Sequence, residues 1–87
     1  MDETTDAAAA AVTVKAVIDA RGLACPMPLV KLRQALMVVD AGDVVRLLAT
    51  DPQTPDDVAE FGLAAGHDLV ETRREGELIS LLVRKGG

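Results

Sequence analysis

The sequence predicts a two-layer α/β sandwich in which two helices lie on one face of a four-stranded mixed sheet, in the order β-α-β-α-β-β. Three observations predict it. Short runs rich in Val, Ile and Leu (13–19, 44–50, 67–74 and 77–84) are interrupted by two longer stretches with apolar residues three and four apart. Both longer stretches open on proline and are closed by glycine, the order in which helices start and stop. The last two runs are joined around Glu75-Gly76, as in a hairpin.

Residues 1–12 begin acidic and continue into five consecutive alanines. So short an alanine run is marginal as a helix unless it packs. It is expected to be a disordered leader ahead of a single domain over 13–87. Residues 13–19 alternate loosely and form the first strand. Arg21-Gly22 then turns the chain, with Gly22 supplying a backbone angle that a side chain resists. Asp19 and Arg21 either orient this loop or a partner, or belong to a solvated turn.

The turn leads into Cys25-Pro26-Met27-Pro28, which holds the only cysteine. Inside a helix a proline costs about 3 kcal/mol, but in the first turn its missing N–H has no intrahelical partner to lose. Two prolines at alternate positions therefore mark a helix start. Cys25 belongs at or beside the N-cap, Pro26 at the first helical position and Pro28 in the first turn. Pro28 biases Met27 away from helical angles, so the start can fall a residue or two later. A thiol there is expected to meet the N–H of Met27 and its successors and the positive end of the helix dipole, with Lys31 and Arg33 adding charge. All of these favour the thiolate, which makes Cys25 a candidate nucleophile or sulfur holder. A small buried hydrophobe is the alternative for a lone cysteine.

The first helix runs from Pro26 or Pro28 to about Val39, with Leu29, Leu32, Leu36 and Val39 directed at the sheet. Val30, Arg33 and Met37 share a flank expected to stay partly exposed beside the sulfur. Asp40-Ala41-Gly42-Asp43 turns into a second, central strand over 44–50. A strand, a helix and a strand of these lengths imply a parallel crossover. The loop holding Cys25 and the loop Asp51-Pro52-Gln53-Thr54 should then emerge at the same sheet edge, where ligand sites of parallel sheets gather.

In the second helix Thr54 reads as N-cap, Pro55 as the first position, and Asp56 and Asp57 as first-turn acids, Asp57 replacing the usual Glu of a capping box. Val58, Phe61 and Ala65 point inward, Gly62 suggests a kink or tight packing, and Gly66 ends the helix. His67, without a second ligand in sequence, is assigned a structural or solvated role. Lys15, Arg46, Glu71 and Ser80 are candidates for the polar side of the sheet.

Composition narrows the function. At 87 residues and 49% hydrophobic the chain suffices for one compact core, which must be aliphatic because Phe61 is the only aromatic. The formal charge of −5, the missing basic face and the missing aromatic platforms argue against direct nucleic-acid binding. One cysteine makes neither an intrachain disulfide nor a zinc site alone, and a free thiol suits a reducing cytoplasm. No segment reaches the roughly 20 apolar residues of a membrane span, and no secretory signal is visible.

The stretch Asp19-Ala20-Arg21-Gly22-Leu23-Ala24-Cys25-Pro26-Met27-Pro28, running into Lys31, resembles the signature of the TusA/SirA-like sulfur-carrier family: a cysteine in Cys-Pro-x-Pro after an Asp-x-x-Gly turn. Asp51-Pro52-Gln53-Thr54 resembles the family's Asp-Pro-x-Thr loop, and Val83-Arg84-Lys85-Gly86-Gly87 also fits, so the similarity covers roughly 14–87. The resemblance implies a sulfurtransferase-type carrier in which Cys25 accepts sulfane sulfur as a persulfide, with Gly22, Pro26, Met27 and Pro28 shaping the loop. It implies a cysteine desulfurase or other persulfide donor and a downstream acceptor protein, serving tRNA thiolation, molybdenum cofactor assembly or sulfur oxidation. It implies partner docking through Val30, Arg33, Asp51 and Phe61, and it calls for no metal or organic cofactor. Met37 departs from relatives that are basic there. Two other readings compete, a regulatory or protein-binding module with an idle Cys25 and a redox sensor, the latter disfavoured by the missing resolving cysteine. Gly86-Gly87 also resembles the tail of ubiquitin-like sulfur carriers, but the helix pattern does not suit that fold.

Overall fold

The computed structural model of the chain describes residues 13–87, so the leader expected over 1–12 lies outside the described residues. The elements are β1 (Val14–Ala20), α1 (Met27–Val38), β2 (Val44–Ala49), α2 (Thr54–Ala65), β3 (Asp68–Glu75) and β4 (Leu78–Arg84). The four strands form one sheet in the order β1-β2-β4-β3. The pair β1–β2 is parallel, while β2–β4 and β3–β4 are antiparallel. This is the predicted two-layer mixed-sheet architecture, with boundaries shifted by one or two residues.

Alternation along the strands sets the core. Ala20, Val45, Leu47, Ile79, Leu81 and Val83 share one sheet face and pack against Leu32 and Leu36 of α1 and Val58 of α2. Leu29, Val39 and Phe61 pack partly buried around this cluster. The central pair β2–β4 supplies its middle, where Leu47 stands opposite Leu81 and both are fully buried.

The other sheet face is less polar than expected. Arg46 donates to Ser80 Oγ at 2.5 Å and Glu71 pairs with Arg73 at 3.3 Å, but strand alternation puts Val17, Leu48 and Leu82 on the same face. Ala65, expected inward, is exposed, because the last turn of α2 faces the groove between the helices, where Ala65 stands with Phe61, Met37 and His67.

Three contacts close the end of the sandwich opposite the cysteine loop. Lys85 Nζ donates to the carbonyl of Val39, the residue ending α1, at 2.7 Å, a cation at the negative end of the helix dipole. Gly66 ends α2 with φ 82° and donates its N–H to the Gly62 carbonyl. His67 takes the expected structural role, its Nδ1 accepting the Gly86 N–H at 2.9 Å and its ring tilted against Phe61 at 5.4 Å. The tight packing expected at Gly62 is present, since a Cβ there would lie 2.8 Å from the His67 carbonyl oxygen.

Gly86 is more tightly placed still. A Cβ at this position would run into the Gly66 carbonyl oxygen, a backbone atom that cannot swing away. Gly86→Ala is therefore expected to destabilise the fold by about 1–3 kcal/mol, the usual cost of overpacking. At about 4–8 °C per kcal/mol for a domain of this size, a thermal melt reads that directly.

Candidate functional site

The parallel crossover brings the loop 21–26 and the loop 50–53 together, as expected. Gly22, with φ 79°, donates its N–H to Thr50 Oγ1 at 2.9 Å, tying the turn after β1 to the end of β2. Three residues later the Cys25 N–H donates to Asp51 Oδ2 at 2.8 Å. The other oxygen of the same carboxylate accepts the Gln53 N–H at 3.0 Å. Asp51 thus ties the cysteine loop to the entry of α2, and the N–H groups of Gln53 and Cys25 hold its carboxyl below the usual range.

The helix start is close to the expected one. α1 opens at Met27, Pro26 occupies the N-cap without a side-chain cap, and Pro28 falls at the second helical position, where it is buried. Cys25 stands just outside and is exposed. The buried-hydrophobe alternative is excluded.

The electrostatic expectation fails. The Met27 N–H donates back to the Ala24 carbonyl at 2.9 Å instead of facing the sulfur, and neither proline has an N–H. The sulfur meets a carboxylate. Cys25 Sγ donates to Asp57 Oδ2 at 2.9 Å. That hydrogen bond, with desolvation and the charges of Asp57 and Asp51, pushes the thiol up from its ordinary pKa rather than down.

The capping role expected of Asp57 is not what the structure shows. Thr54 is the first helical residue rather than the N-cap, and among the described residues Gln53 holds the cap position without a side-chain bond and buried Thr54 Oγ1 has no hydrogen-bond partner. Thr54 and Asp57 therefore form no capping box. Instead Asp57, one turn into α2, points back at the neighbouring loop. Its signal in the sequence was indirect: the crossover that brings Asp51 to Cys25 also brings the first turn of the helix that follows.

The remaining candidates divide into two places. Arg33 lies over the Phe61 ring, its guanidinium carbon 5.9 Å from the ring centroid, a cation–π distance that links α1 to α2. Val30 lines a groove of about 190 Å³ with Arg33, Gln34 and Met37, and Met37 is 79% exposed. Asp51 stands apart from this groove, at the cysteine loop. Phe61 borders both places, since a second groove of about 560 Å³ is lined by Cys25, Leu29, Asp57, Glu60, Phe61 and Ala64.

Asp19 and Arg21 complete the loop. The Arg21 Nε and its second guanidinium nitrogen each donate at 2.9 Å to the two Asp19 oxygens, and the Arg21 N–H adds a third bond. The guanidinium bonds are the main cause that holds the Asp19 carboxyl at about 2. A depressed carboxyl stabilises the folded state above its unfolded value of about 3.9, and the contribution is lost as pH falls through the folded one. Melting temperature is thus expected to fall between about pH 4 and about pH 2, and to fall less steeply in Asp19→Asn.

Among the described residues no three His, Cys, Asp or Glu side chains converge to hold a metal ion, and no helix is long and apolar enough to cross a membrane. A family model described as Sulfurtransferase TusA matches residues 16–85. The sulfur carrier protein TusA of Pseudomonas savastanoi pv. phaseolicola is 38% identical over 73 residues, covering 84% of this chain and 87% of that one. The sulfur carrier protein TusA of Allochromatium vinosum is 34% identical over 68 residues, covering 78% and 90%. Among solved structures, a SirA-like protein from Desulfitobacterium hafniense superposes with a TM-score of 0.72 over 83% of this chain and 99% of that one; at 24% identity it supports the fold.

Proposed function

Because the chain belongs to the TusA sulfurtransferase family, we propose that it is a sulfur carrier that takes sulfane sulfur onto Cys25 as a persulfide and hands it to an acceptor protein. The observation that carries this reading is the exposed Cys25, held on a loop fixed by Thr50, Asp51 and Asp57 at the sheet edge. Fixing that loop places the sulfur where a second protein can reach it, and access is a requirement of thiol exchange.

In the transfer the Cys25 thiolate attacks the outer sulfur of a donor's protein persulfide. A bond forms between Cys25 Sγ and that sulfur as the donor's own S–S bond breaks. The donor sulfur leaves with the bonding pair as a thiolate and takes up a proton from water, replacing the one Cys25 gave up. One sulfane sulfur moves, and neither oxidant nor reductant is consumed. Hand-on repeats the step with an acceptor thiolate. A cysteine desulfurase, or another protein bearing a persulfide, fits as donor. Val30 and Arg33 of α1, with Phe61 of α2 against the Arg33 guanidinium, offer an apolar surface with one cation for docking.

The test is intact-protein mass spectrometry after incubation with a cysteine desulfurase and cysteine. The expected result is a gain of one sulfur atom that a thiol reductant removes. No gain would overturn the carrier reading in favour of a binding module with an idle cysteine.

A further inference from the structure

We propose that Asp57 decides which sulfur donors Cys25 accepts, engaging the thiol through its hydrogen bond in the free protein and releasing it to a donor that brings a cationic side chain onto the Asp57 carboxylate. The inference rests on the carrier reading and deepens it. Its starting point is a conflict: sulfur exchange needs a thiolate, yet the 2.9 Å Sγ–Oδ2 bond makes Asp57 an acceptor for the proton that must leave.

Two roles are open to such a carboxylate, and magnitudes separate them. As a general base Asp57 would have to take the proton from a thiol, although a carboxylate is ordinarily a far weaker base than a thiolate. That is a poor base. As a holder, the same carboxylate keeps the proton on sulfur by accepting its hydrogen bond and by opposing a second negative charge beside it. Asp51, from the loop between β2 and α2, adds to this opposition, and Glu60 lines the same groove from α2. On α1, Arg33 is turned over the Phe61 ring and Lys31 is half-buried.

A guanidinium or ammonium group placed on Asp57 removes the acceptor and puts positive charge next to sulfur, and both effects favour the thiolate. Cys25 then loses its proton to water and attacks the donor's outer sulfur as described above. The groove beside the sulfur suits such a donor. Leu29, Phe61 and Ala64 give it an apolar lining, and Asp57 and Glu60 give it an acidic one, which matches a segment carrying Lys or Arg beside an apolar residue.

Two measurements test this. The first is the rate of iodoacetamide alkylation of Cys25 from about pH 6 to about pH 10 in wild type, Asp57→Asn and Asp56→Asn. Asp57→Asn is expected to move the midpoint down by about one unit and to raise the neutral-pH rate about tenfold, whereas the Asp56→Asn profile stays in place. The second is sulfur uptake from a synthetic peptide persulfide flanked by arginines and from the same peptide with glutamines. Wild type and Asp57→Glu are expected to favour the arginine peptide by about tenfold, and Asp57→Asn to take sulfur from both at one rate. An unmoved alkylation profile, equal uptake from both peptides by wild type, or an arginine preference that survives Asp57→Asn overturns the proposal and leaves the carrier standing. Uptake by wild type from neither peptide overturns both.

Discussion

Cys25→Ser is expected to melt as the wild type does and to acquire no sulfur at all. The two halves of that expectation come from different parts of the structure. Stability is unaffected because Cys25 is exposed, lies outside the core cluster of the described residues, and leaves a hydroxyl able to donate to Asp57 in its place. Surface changes of this kind stay within about 0.5 kcal/mol. Loading is lost entirely because a serine oxygen cannot attack sulfane sulfur and hold it. Melting curves and intact masses measured on the same preparations check both halves. A variant that still gains sulfur would move the carrier position away from the loop, and no other cysteine exists to receive it.

Leu81→Ala should have the largest effect on the fold. Leu81 is fully buried in β4, opposite Leu47 of β2, at the centre of the layer between sheet and helices. Removing a buried leucine side chain to alanine costs about 2–5 kcal/mol, part lost transfer energy and part cavity. A domain of this length holds a total stability of only about 4–13 kcal/mol at 0.05–0.15 kcal/mol per residue. The variant is therefore expected to lose about 10 °C or more of melting temperature, and to sit near the edge of folding at physiological temperature. Leu47→Ala should cost a similar amount. The double variant should cost less than the sum, because the two side chains share one contact and one cavity. Urea unfolding of the three variants gives the comparison.

The order of elements was legible because it is written in local terms. Proline and glycine mark both ends of α1 and α2, alternation marks the strands, and the crossover rule puts Cys25 beside Asp51 without any knowledge of side-chain positions. The candidate docking flank of Val30, Arg33 and Met37 was legible for the same reason, since residues three and four apart share a helix face.

What sequence reasoning lost is tertiary competition for local groups. Thr54 and Asp57 have the spacing of a capping pair, but Asp57 instead accepts a hydrogen bond from a sulfur 32 positions earlier. The Met27 amide, counted toward a thiolate, is already used by the Ala24 carbonyl in the tight turn that precedes the helix. Together these invert the charge environment of Cys25. Gly86, which read as part of a tail, is a glycine because the Gly66 carbonyl leaves no room for a Cβ. The pairing of Lys85 with the end of α1 likewise joins residues 46 positions apart.

A carrier that meets many thiols and oxidants gains from a sulfur that is reachable but protonated until the right donor docks. Exposed Cys25, its thiol hydrogen-bonded to Asp57, meets that description.

The most direct test is a chase with isotopically heavy sulfur. Wild-type chain loaded by a cysteine desulfurase from labelled cysteine is separated from the donor and mixed with a protein bearing an acceptor thiol, and both masses are followed. The account predicts that the heavy atom leaves the peptide containing Cys25 and appears on the acceptor thiol, with little released as free sulfide. Label that stays on Cys25, or that departs only as sulfide, would contradict it.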